Sequence, residues 1–194
     1  MLASVSPRRR ELLAQIALAP DLIDGSGIDE TPRRGELPGP HALRLAGEKL
    51  AAVMPRHPDA FIVAADTVVA CGRRILPKPE DAETERHCLE LLSGRRHRVM
   101  TGVAVAAPGA KPVSRLVTTI VAFKRLTRDE IGDYVASGEG IGKAGGYAIQ
   151  GLGARFIRAI HGSYSNVVGL PLFETASLLA GQGFARARRL ERDA

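Results

Sequence analysis

Apolar residues recur along the chain at two spacings, and these predict an alternation of helices and strands. The helical spacing of three and four residues is clearest after Ser6-Pro7, a pair typical of a helix start. Thr127 and Glu130 have the spacing of a capping box at the start of another helix. The predicted helices are 7–18, 41–54, 80–92, 127–137 and 171–180.

The period-two segments predict strands. Residues 98–107 and 113–123 alternate around a five-residue loop, which predicts a β-hairpin. Residues 154–160 are a further predicted strand, after a long glycine-rich loop at 139–154. The unbroken apolar run 61–69 predicts a strand buried on both faces. Helices and strands in this order indicate a mixed α/β fold, with one domain over residues 1–194.

One carboxylate interrupts the buried strand. Asp66 is the only formal charge in FIVAADTVVA, and aspartate is both depleted in strands and costly to bury unpaired. Either the strand ends by Asp66, or another group compensates its charge. The apolar face of the second predicted helix includes Lys49. Either its stem packs on that face while the ammonium reaches water, or the ammonium points inward at a buried anion.

Composition limits the classes of function. Net charge is +6 in 194 residues, with an isoelectric point near 9.8, which favours an anionic partner. Part of the excess lies in residues 184–194, predicted to be a solvated helix end. Eight aromatic residues offer few stacking platforms for nucleic-acid bases, so a small anion is favoured over a polymer, and no specific nucleic-acid binding is expected. No signal-peptide order or membrane-span length occurs, so we expect a cytoplasmic protein without membrane association.

Several cationic side chains lie in local contexts that are suited to binding phosphate. SVSPRRR places Ser4, Ser6, Arg8 and Arg9 within one turn of a helix start, where free N–H groups favour anions, although surface arginine runs are usually solvated. Lys78 is held between two prolines in LPKPE, in either a stiff exposed loop or a phosphate site.

Lys143 lies among glycines that allow close approach to a ligand, although a mobile loop has the same composition.

The candidate acids are few. The acids are Asp66, Glu30 and Glu48. With no P-loop motif and no evident Ser-His-Asp order, oxygen ligands together with phosphates suit Mg²⁺ or Mn²⁺.

Several motifs resemble those of one family. LASVSPRRRELL, GEKLA, VAADTVV, LPKPEDA, LSGRRHRVMTGVAV and GKAGGYAIQGLGARFIRAIHGSYSNVVGLPL are similar to segments of the Maf family. Maf proteins are nucleoside triphosphate pyrophosphatases, sometimes described as septum-formation inhibitors. The resemblance spans residues 2 to about 180, and the block 142–172 is long and specific.

The resemblance carries expectations about fold and reaction. It implies the Maf/ITPase-like fold, a long curved mixed sheet with flanking helices and a cleft between two lobes, usually in a homodimer. It also implies hydrolysis of the α–β bond of a nucleoside triphosphate, with a divalent metal, to the monophosphate and pyrophosphate.

The family's functional residues carry over position by position. Asp66 matches the proposed proton acceptor, and it is a metal ligand candidate together with Glu30. Ser4, Arg9, Lys49 and Lys78 match the cradle for the polyphosphate. Ser6 and Lys143 are further substrate-binding candidates.

Three positions resemble the branch of the family that prefers dTTP and UTP. Its specificity residues are matched by Arg8, Thr67 and Gln150. The branch that prefers 7-methyl-GTP has motifs similar to SPW, DQ and SEG at those places, and this sequence has none of them. Gly142 departs from the usual acidic residue before the lysine. We therefore predict a dTTP/UTP pyrophosphatase. The alternatives are the 7-methyl-GTP branch, or a nucleotide- or nucleic-acid-binding regulator of cell division without turnover.

Overall fold

The computed structural model describes residues 1–184, in which helices flank one β-sheet. The helices are α1 (Pro7–Gln15), α2 (Pro38–Val53), α3 (Ala82–Leu92), α4 (Arg128–Ser137), α5 (Tyr164–Val168) and α6 (Leu172–Gly181). The strands are β1 (Ile62–Cys71), β2 (Arg74–Leu76), β3 (Arg96–Ala106), β4 (Val113–Phe123) and β5 (Ile157–His161). The predicted α/β class is confirmed. Residues 185–194, including most of the predicted solvated helix end, lie outside the described part.

The sheet has the strand order β2-β1-β3-β4-β5, and each neighbouring pair is antiparallel. Within residues 1–184, parallel pairing is limited to isolated bridges of Leu2 with Ile23 and Val63. The expected mixed sheet therefore has only a small parallel component. The predicted hairpin is confirmed as β3 and β4, which pair from Arg96–Ala122 to Val105–Val113.

Strand β1 is buried on both faces, as its apolar run predicts. Val63 and Ala65 belong to one apolar cluster, and Ile62 and Ala64 belong to another that contains the inner face of α2. Successive side chains of a strand point to opposite faces. Asp66 therefore shares the α2 face with Ala64, which directs its carboxylate towards that helix.

Helix α2 lies unusually close to the sheet because of a glycine. Gly102 is opposite Asp66 in the β1–β3 register. A Cβ atom built on Gly102 would lie 2.3 Å from the carbonyl oxygen of Ala42. A side chain at that position would push α2 away, so Gly102 sets how near the inner face of the helix comes to Asp66.

The element boundaries differ from the predictions where local chemistry shifts them. Helix α2 begins at Pro38, which suits a first helical position, and α3 begins after Asp81, whose carboxylate accepts a hydrogen bond from the Thr84 N–H. The capping box of Thr127 and Glu130 is confirmed. Strand β5 begins only at Ile157, because a 3-10 turn occupies Leu152–Phe156.

Two short elements, β2 and α5, were not predicted. Both are too short to show a hydrophobic period of their own. Over the described residues, the helices are too short or too polar to cross a bilayer.

Candidate active site

A cavity of about 400 Å³ opens at the outer edge of β1, and every predicted site residue lines it. They are Ser4, Ser6, Arg8, Arg9, Glu30, Lys49, Asp66, Thr67, Lys78, Lys143 and Gln150. The chain thus brings together groups from its first ten residues, three loops, a helix and a strand. The third candidate acid, Glu48, points away and pairs with Arg33 and Arg44.

The cavity lies at a gap in the pairing of β1. On its outer side, β1 bonds to the N-terminal segment as far as Val63, whose carbonyl accepts the Ala3 N–H at 2.8 Å. Pairing with β2 starts at Val69. Between these points, residues 64–68 have no strand on that side in the described structure. Asp66 and Thr67 can therefore both reach the cavity, although they lie on opposite faces of the strand.

Asp66 is compensated, and the strand does not end at it. The carboxylate is 3% exposed, and the Lys49 ammonium donates a hydrogen bond to it at 2.7 Å. Lys49 is itself 7% exposed, so the interpretation in which its stem reaches water is wrong and the inward one is correct. A buried carboxylate and a buried ammonium each require the other, because an unpaired charge at this depth is strongly unfavourable.

A second carboxylate extends the pair into a chain of alternating charges. Glu30 contacts the Lys49 ammonium through Oε1 and the Lys78 ammonium through Oε2, both at 2.5 Å. Desolvation by burial raises the pKa of Glu30, but the hydrogen bonds from the two lysines outweigh it and bring the pKa to about 2. Glu30 is therefore ionised at neutral pH, and the order of charges is Asp66, Lys49, Glu30, Lys78.

Arg9 is anchored by neutral oxygens. Its Nε donates to the Gly169 carbonyl at 2.9 Å, its Nη1 to the Ser4 hydroxyl at 3.1 Å, and its Nη2 to the Thr67 hydroxyl at 3.3 Å. Thr67 in turn contacts the Thr101 hydroxyl at 3.0 Å and donates to the Gly169 carbonyl at 3.3 Å. The guanidinium is thus fixed in direction.

The anchoring of Arg9 leaves its charge uncompensated by direct contact. Within the described structure, Arg9 forms no ion pair at 4.0 Å or less. Desolvation lowers its pKa, while the charges of Asp66 and Glu30 oppose that shift from further away. A buried guanidinium that is held by neutral acceptors has the charge to bind an anion that enters the cavity.

Lys78 is placed by backbone contacts on both sides. The Pro77 carbonyl accepts from the Gly145 N–H at 2.9 Å, and the Pro79 carbonyl accepts from the Gly142 N–H at 2.7 Å. Gly145 has a φ of 73°, and a Cβ atom there would lie 2.7 Å from a methyl group of Val69. The stiff LPKPE segment is thereby attached to the glycine-rich loop, with Lys78 directed at Glu30.

The four remaining predicted residues line the cavity from partly buried or exposed positions, and they are Ser6, Arg8, Lys143 and Gln150. The Lys143 ammonium donates to the backbone carbonyl of Glu139. The Ser6 side chain makes no capping hydrogen bond, although Ser6 is the residue before α1. The Gln150 side chain is exposed and has no hydrogen bond within the described structure, so it is available to a ligand.

The two carboxylates fit a divalent metal. No group of three or more histidine, cysteine, aspartate or glutamate side chains suited to a metal ion occurs within residues 1–184. Mg²⁺ needs no such group, since it is often bound by one or two carboxylates, substrate phosphates and water. Asp66 and Glu30 both contact one ammonium nitrogen, so hard oxygen donors converge at one point of the cavity.

Sequence reasoning missed the groups that hold Arg9 in place. Gly169 acts through its carbonyl, which no side-chain motif can indicate. Thr101 lies opposite Thr67 in the β1–β3 register, so it could be found only once that register is known. The buried amide of Asn166 donates to the Val99 carbonyl at 3.1 Å and connects α5 to the sheet.

Comparison with known proteins identifies close relatives over nearly the whole chain. A dTTP/UTP pyrophosphatase of Paramagnetospirillum magneticum is 65% identical over 185 residues, which cover 95% of this chain and 97% of the relative. A dTTP/UTP pyrophosphatase of Rhodospirillum rubrum is 58% identical, with 97% and 90% covered. A solved nucleoside-triphosphatase / dITP/XTP pyrophosphatase of Mycobacterium abscessus is 18% identical with a TM-score of 0.40, covering 64% of this chain and 74% of that one, which is too distant to support an argument.

The family model described as Maf-like protein matches residues 1–182. That range includes the whole cavity and each residue placed in it from the motifs. The resemblance is thereby confirmed, and this chain belongs to the Maf family.

Proposed function

We propose that this protein hydrolyses dTTP and UTP at the α–β phosphate bond, releasing the nucleoside monophosphate and pyrophosphate. The observation that most strongly supports hydrolysis is the pair of Asp66 and Lys49. Their buried carboxylate and ammonium are 2.7 Å apart, in a cavity with further cations. A site that only bound a polyanion would gain nothing from carboxylates, which repel phosphate. Carboxylates have a use there if a water molecule or a metal must be bound as well.

Several cations line the cavity in which a triphosphate would bind. Arg9 is fixed by neutral acceptors, so its charge can bind phosphate without breaking an ion pair. Lys49 stays paired with Asp66 and has three N–H donors, so it can donate to a phosphate oxygen in place of Glu30. The half-exposed Lys78 can turn from Glu30 to phosphate oxygens. Together they offset the charge on the substrate and on the pyrophosphate leaving group. Ser4, Ser6 and Lys143 contribute hydrogen bonds at the edge of the same cavity.

Asp66 is proposed as the proton acceptor for the attacking water. It lies at the cavity wall, and its orientation is set by Lys49 and by the rigid strand around it. A general base must be held close to the water from which it takes a proton. Asp66 and Glu30 would also hold Mg²⁺ or Mn²⁺, which supplies Lewis-acid stabilisation of phosphate charge when bound.

Base selection is proposed to centre on Gln150, in the exposed part of the same cavity. The amide of Gln150 has a donor and an acceptor that match the O4 and N3–H edge of uracil and thymine. Cytosine reverses that edge, with a donor at N4 and an acceptor at N3. Arg8 and Thr67 complete the set, and Thr67 acts through Arg9, Thr101 and Gly169 rather than through a hydrogen bond to Gln150. A homodimer in the cytoplasm completes the proposal, and light scattering of the purified protein tests the dimer.

One assay tests the function directly. Purified protein is incubated with dTTP, UTP, CTP, GTP and 7-methyl-GTP, with and without a chelator, and pyrophosphate release is followed. We expect dTTP and UTP to be hydrolysed best, CTP less well and purine triphosphates least, with activity lost to the chelator and restored by Mg²⁺ or Mn²⁺. Nucleotide binding without pyrophosphate release would favour the regulator. A preference for 7-methyl-GTP would overturn the choice of base alone.

A further inference from the structure

The segment that carries Gln150 is held from beneath by two side chains. Glu139 accepts a hydrogen bond from the Leu152 N–H through Oε2 at 2.7 Å and one from the Gly153 N–H through Oε1 at 3.0 Å. The Tyr134 hydroxyl donates to Glu139 Oε1 at 2.9 Å and accepts from the Ala148 N–H at 3.0 Å. The backbone is therefore anchored on both sides of Gln150.

The backbone next to Gln150 rests directly on the Glu139 carboxylate. A Cβ atom built on Gly151 would lie 2.1 Å from Oε2 of Glu139. Only a glycine permits that approach, because any other residue would displace either the loop or the carboxylate. This close contact, together with the hydrogen bonds to Leu152 and Gly153, holds the backbone from which the Gln150 side chain extends into the cavity.

The protonation states suit a permanent anchor. Desolvation raises the pKa of Glu139, but the N–H groups of Gly153 and Leu152 and the Tyr134 hydroxyl outweigh it, so the pKa is lowered. Tyr134 is fully buried, and burial raises the pKa of its hydroxyl. At neutral pH, an ionised acceptor thus faces three donors, an arrangement of charge-assisted hydrogen bonds.

Glu139 also reaches the other end of the loop. Its backbone carbonyl accepts from the Lys143 ammonium, which lines the same cavity. A single residue therefore contacts both Lys143 and the backbone on which Gln150 is carried. Glu139 itself does not line the cavity.

We propose that Glu139, supported by Tyr134, is a positioning residue that sets the discrimination between uracil and cytosine. The inference rests on the proposed function, in which Gln150 reads the base edge. Gln150 has no hydrogen bond of its own in the described structure, so the place of its amide depends on the place of its backbone. A specificity contact must be held to within about 0.5 Å, which an unanchored glycine-rich loop does not provide.

Glu139→Gln is the direct test. The substitution preserves size, but the amide nitrogen cannot accept from a backbone N–H, so one side of the anchor opens. The kcat/KM values for UTP and CTP are measured with those of the wild-type protein. We expect the ratio of UTP to CTP to fall by about tenfold, with KM for UTP rising more than kcat falls. Tyr134→Phe should lower the ratio in the same direction by less, and it serves if the first variant does not fold.

Glu130→Gln is the matched control. Glu130 lies in the first turn of α4, accepts hydrogen bonds from Lys124 and from the Thr127 N–H, and does not line the cavity. It should lower the melting temperature and leave the ratio unchanged. A wild-type preference for UTP that both Glu139→Gln and Tyr134→Phe leave intact overturns this inference alone. Equal losses for UTP and CTP would also overturn it, because they indicate a structural role. If the wild-type protein does not distinguish UTP from CTP, the proposed base choice fails, and this inference fails with it.

Discussion

Two cavities in the described residues are lined by cations, and they differ in what accompanies the charge. The larger one contains Lys49 and Arg9, both buried, together with the carboxylates of Asp66 and Glu30. The smaller one, of about 210 Å³, lies at the far end of the sheet near β5. Its cations are the exposed arginines Arg95, Arg96 and Arg158, and its lining includes no carboxylate.

The comparison separates charge from preorganisation. In the larger cavity, each buried cation has a fixed direction, because a carboxylate or a backbone carbonyl holds it before any ligand arrives. The exposed arginines of the smaller cavity retain side-chain freedom and would lose entropy on binding an anion. Groups fixed in advance act on a transition state without reorganising, whereas exposed charges mainly attract anions from a distance. We therefore place the chemistry in the larger cavity alone.

The largest expected effect is the loss of the base. Asp66→Asn preserves shape but removes basicity and weakens metal binding, so kcat for UTP should fall by about 10²–10⁴-fold, the range for a general acid–base group. Asp24→Asn is the control, since Asp24 pairs with Arg56 and His57 away from the cavity. Circular dichroism checks that the fold is retained. An Asp66→Asn protein with wild-type kcat and normal metal dependence would mean that Asp66 is not the base.

Removal of the cationic side chains should have the next largest effect on activity. Lys78→Met should lower kcat/KM by about 10²-fold with little change in melting temperature, because Lys78 is 47% exposed and its stem length is conserved. Lys124→Met, which breaks an ion pair outside the cavity, is the control. Unchanged kcat/KM together with a large stability loss would indicate that Lys78 is structural.

Lys49→Met should show a comparable loss of kcat/KM, but with a lower stability. The variant leaves the Asp66 carboxylate buried without its ammonium, which costs about 3–5 kcal/mol in typical buried pairs. Adding Asp66→Asn should restore much of the free energy of unfolding without restoring activity. Chemical denaturation of the single and double variants, with kinetics on each, measures both. If the double variant recovered activity as well, Asp66 would not be the base, and Lys49 would act only by compensating its buried charge.

A moderate effect is expected from exchanging the specificity residues. Arg8→Trp, Thr67→Gln and Gln150→Glu together place the other branch's residues in the cavity. The preference for UTP over 7-methyl-GTP should fall by at least about tenfold, since one mismatched edge in a polar site costs several kcal/mol. Thr67→Gln also removes a hydroxyl that holds Arg9, so the substrate ratio is the diagnostic quantity, rather than total activity. A ratio that does not move would place base selection elsewhere.

The smallest effect is expected at the smaller cavity. Replacing Arg95, Arg96 and Arg158 with glutamine should leave kcat/KM for UTP within about twofold, because these side chains are remote from the reacting groups. The protein should bind duplex DNA only weakly and lose that binding between low and high salt, and the variant should bind it still less. Tight DNA binding that survives high salt, in a protein without pyrophosphatase activity, would favour the regulator instead.

The sequence by itself determined the local features of this protein. Hydrophobic periodicity, together with capping and turn residues, located the five longer helices, the buried strand and the hairpin, because each of these depends on residues close in the chain. The helical stripe put Lys49 on the inner face of α2, and the apolar run made Asp66 anomalous. Family motifs then selected the residues that the structure gathers in one cavity.

Only the tertiary structure decided how those residues face one another. The gap in the pairing of β1 depends on which distant segments pair with that strand, and the anchoring of Arg9 by Gly169 spans 160 residues. The contact of Glu139 with Gly153 folds the glycine-rich loop back on itself. Such contacts depend on strand register and on how closely helices approach the sheet, as Gly102 shows for α2. Hydrophobic period reports which face of an element is buried, but it does not report which distant group that face will meet.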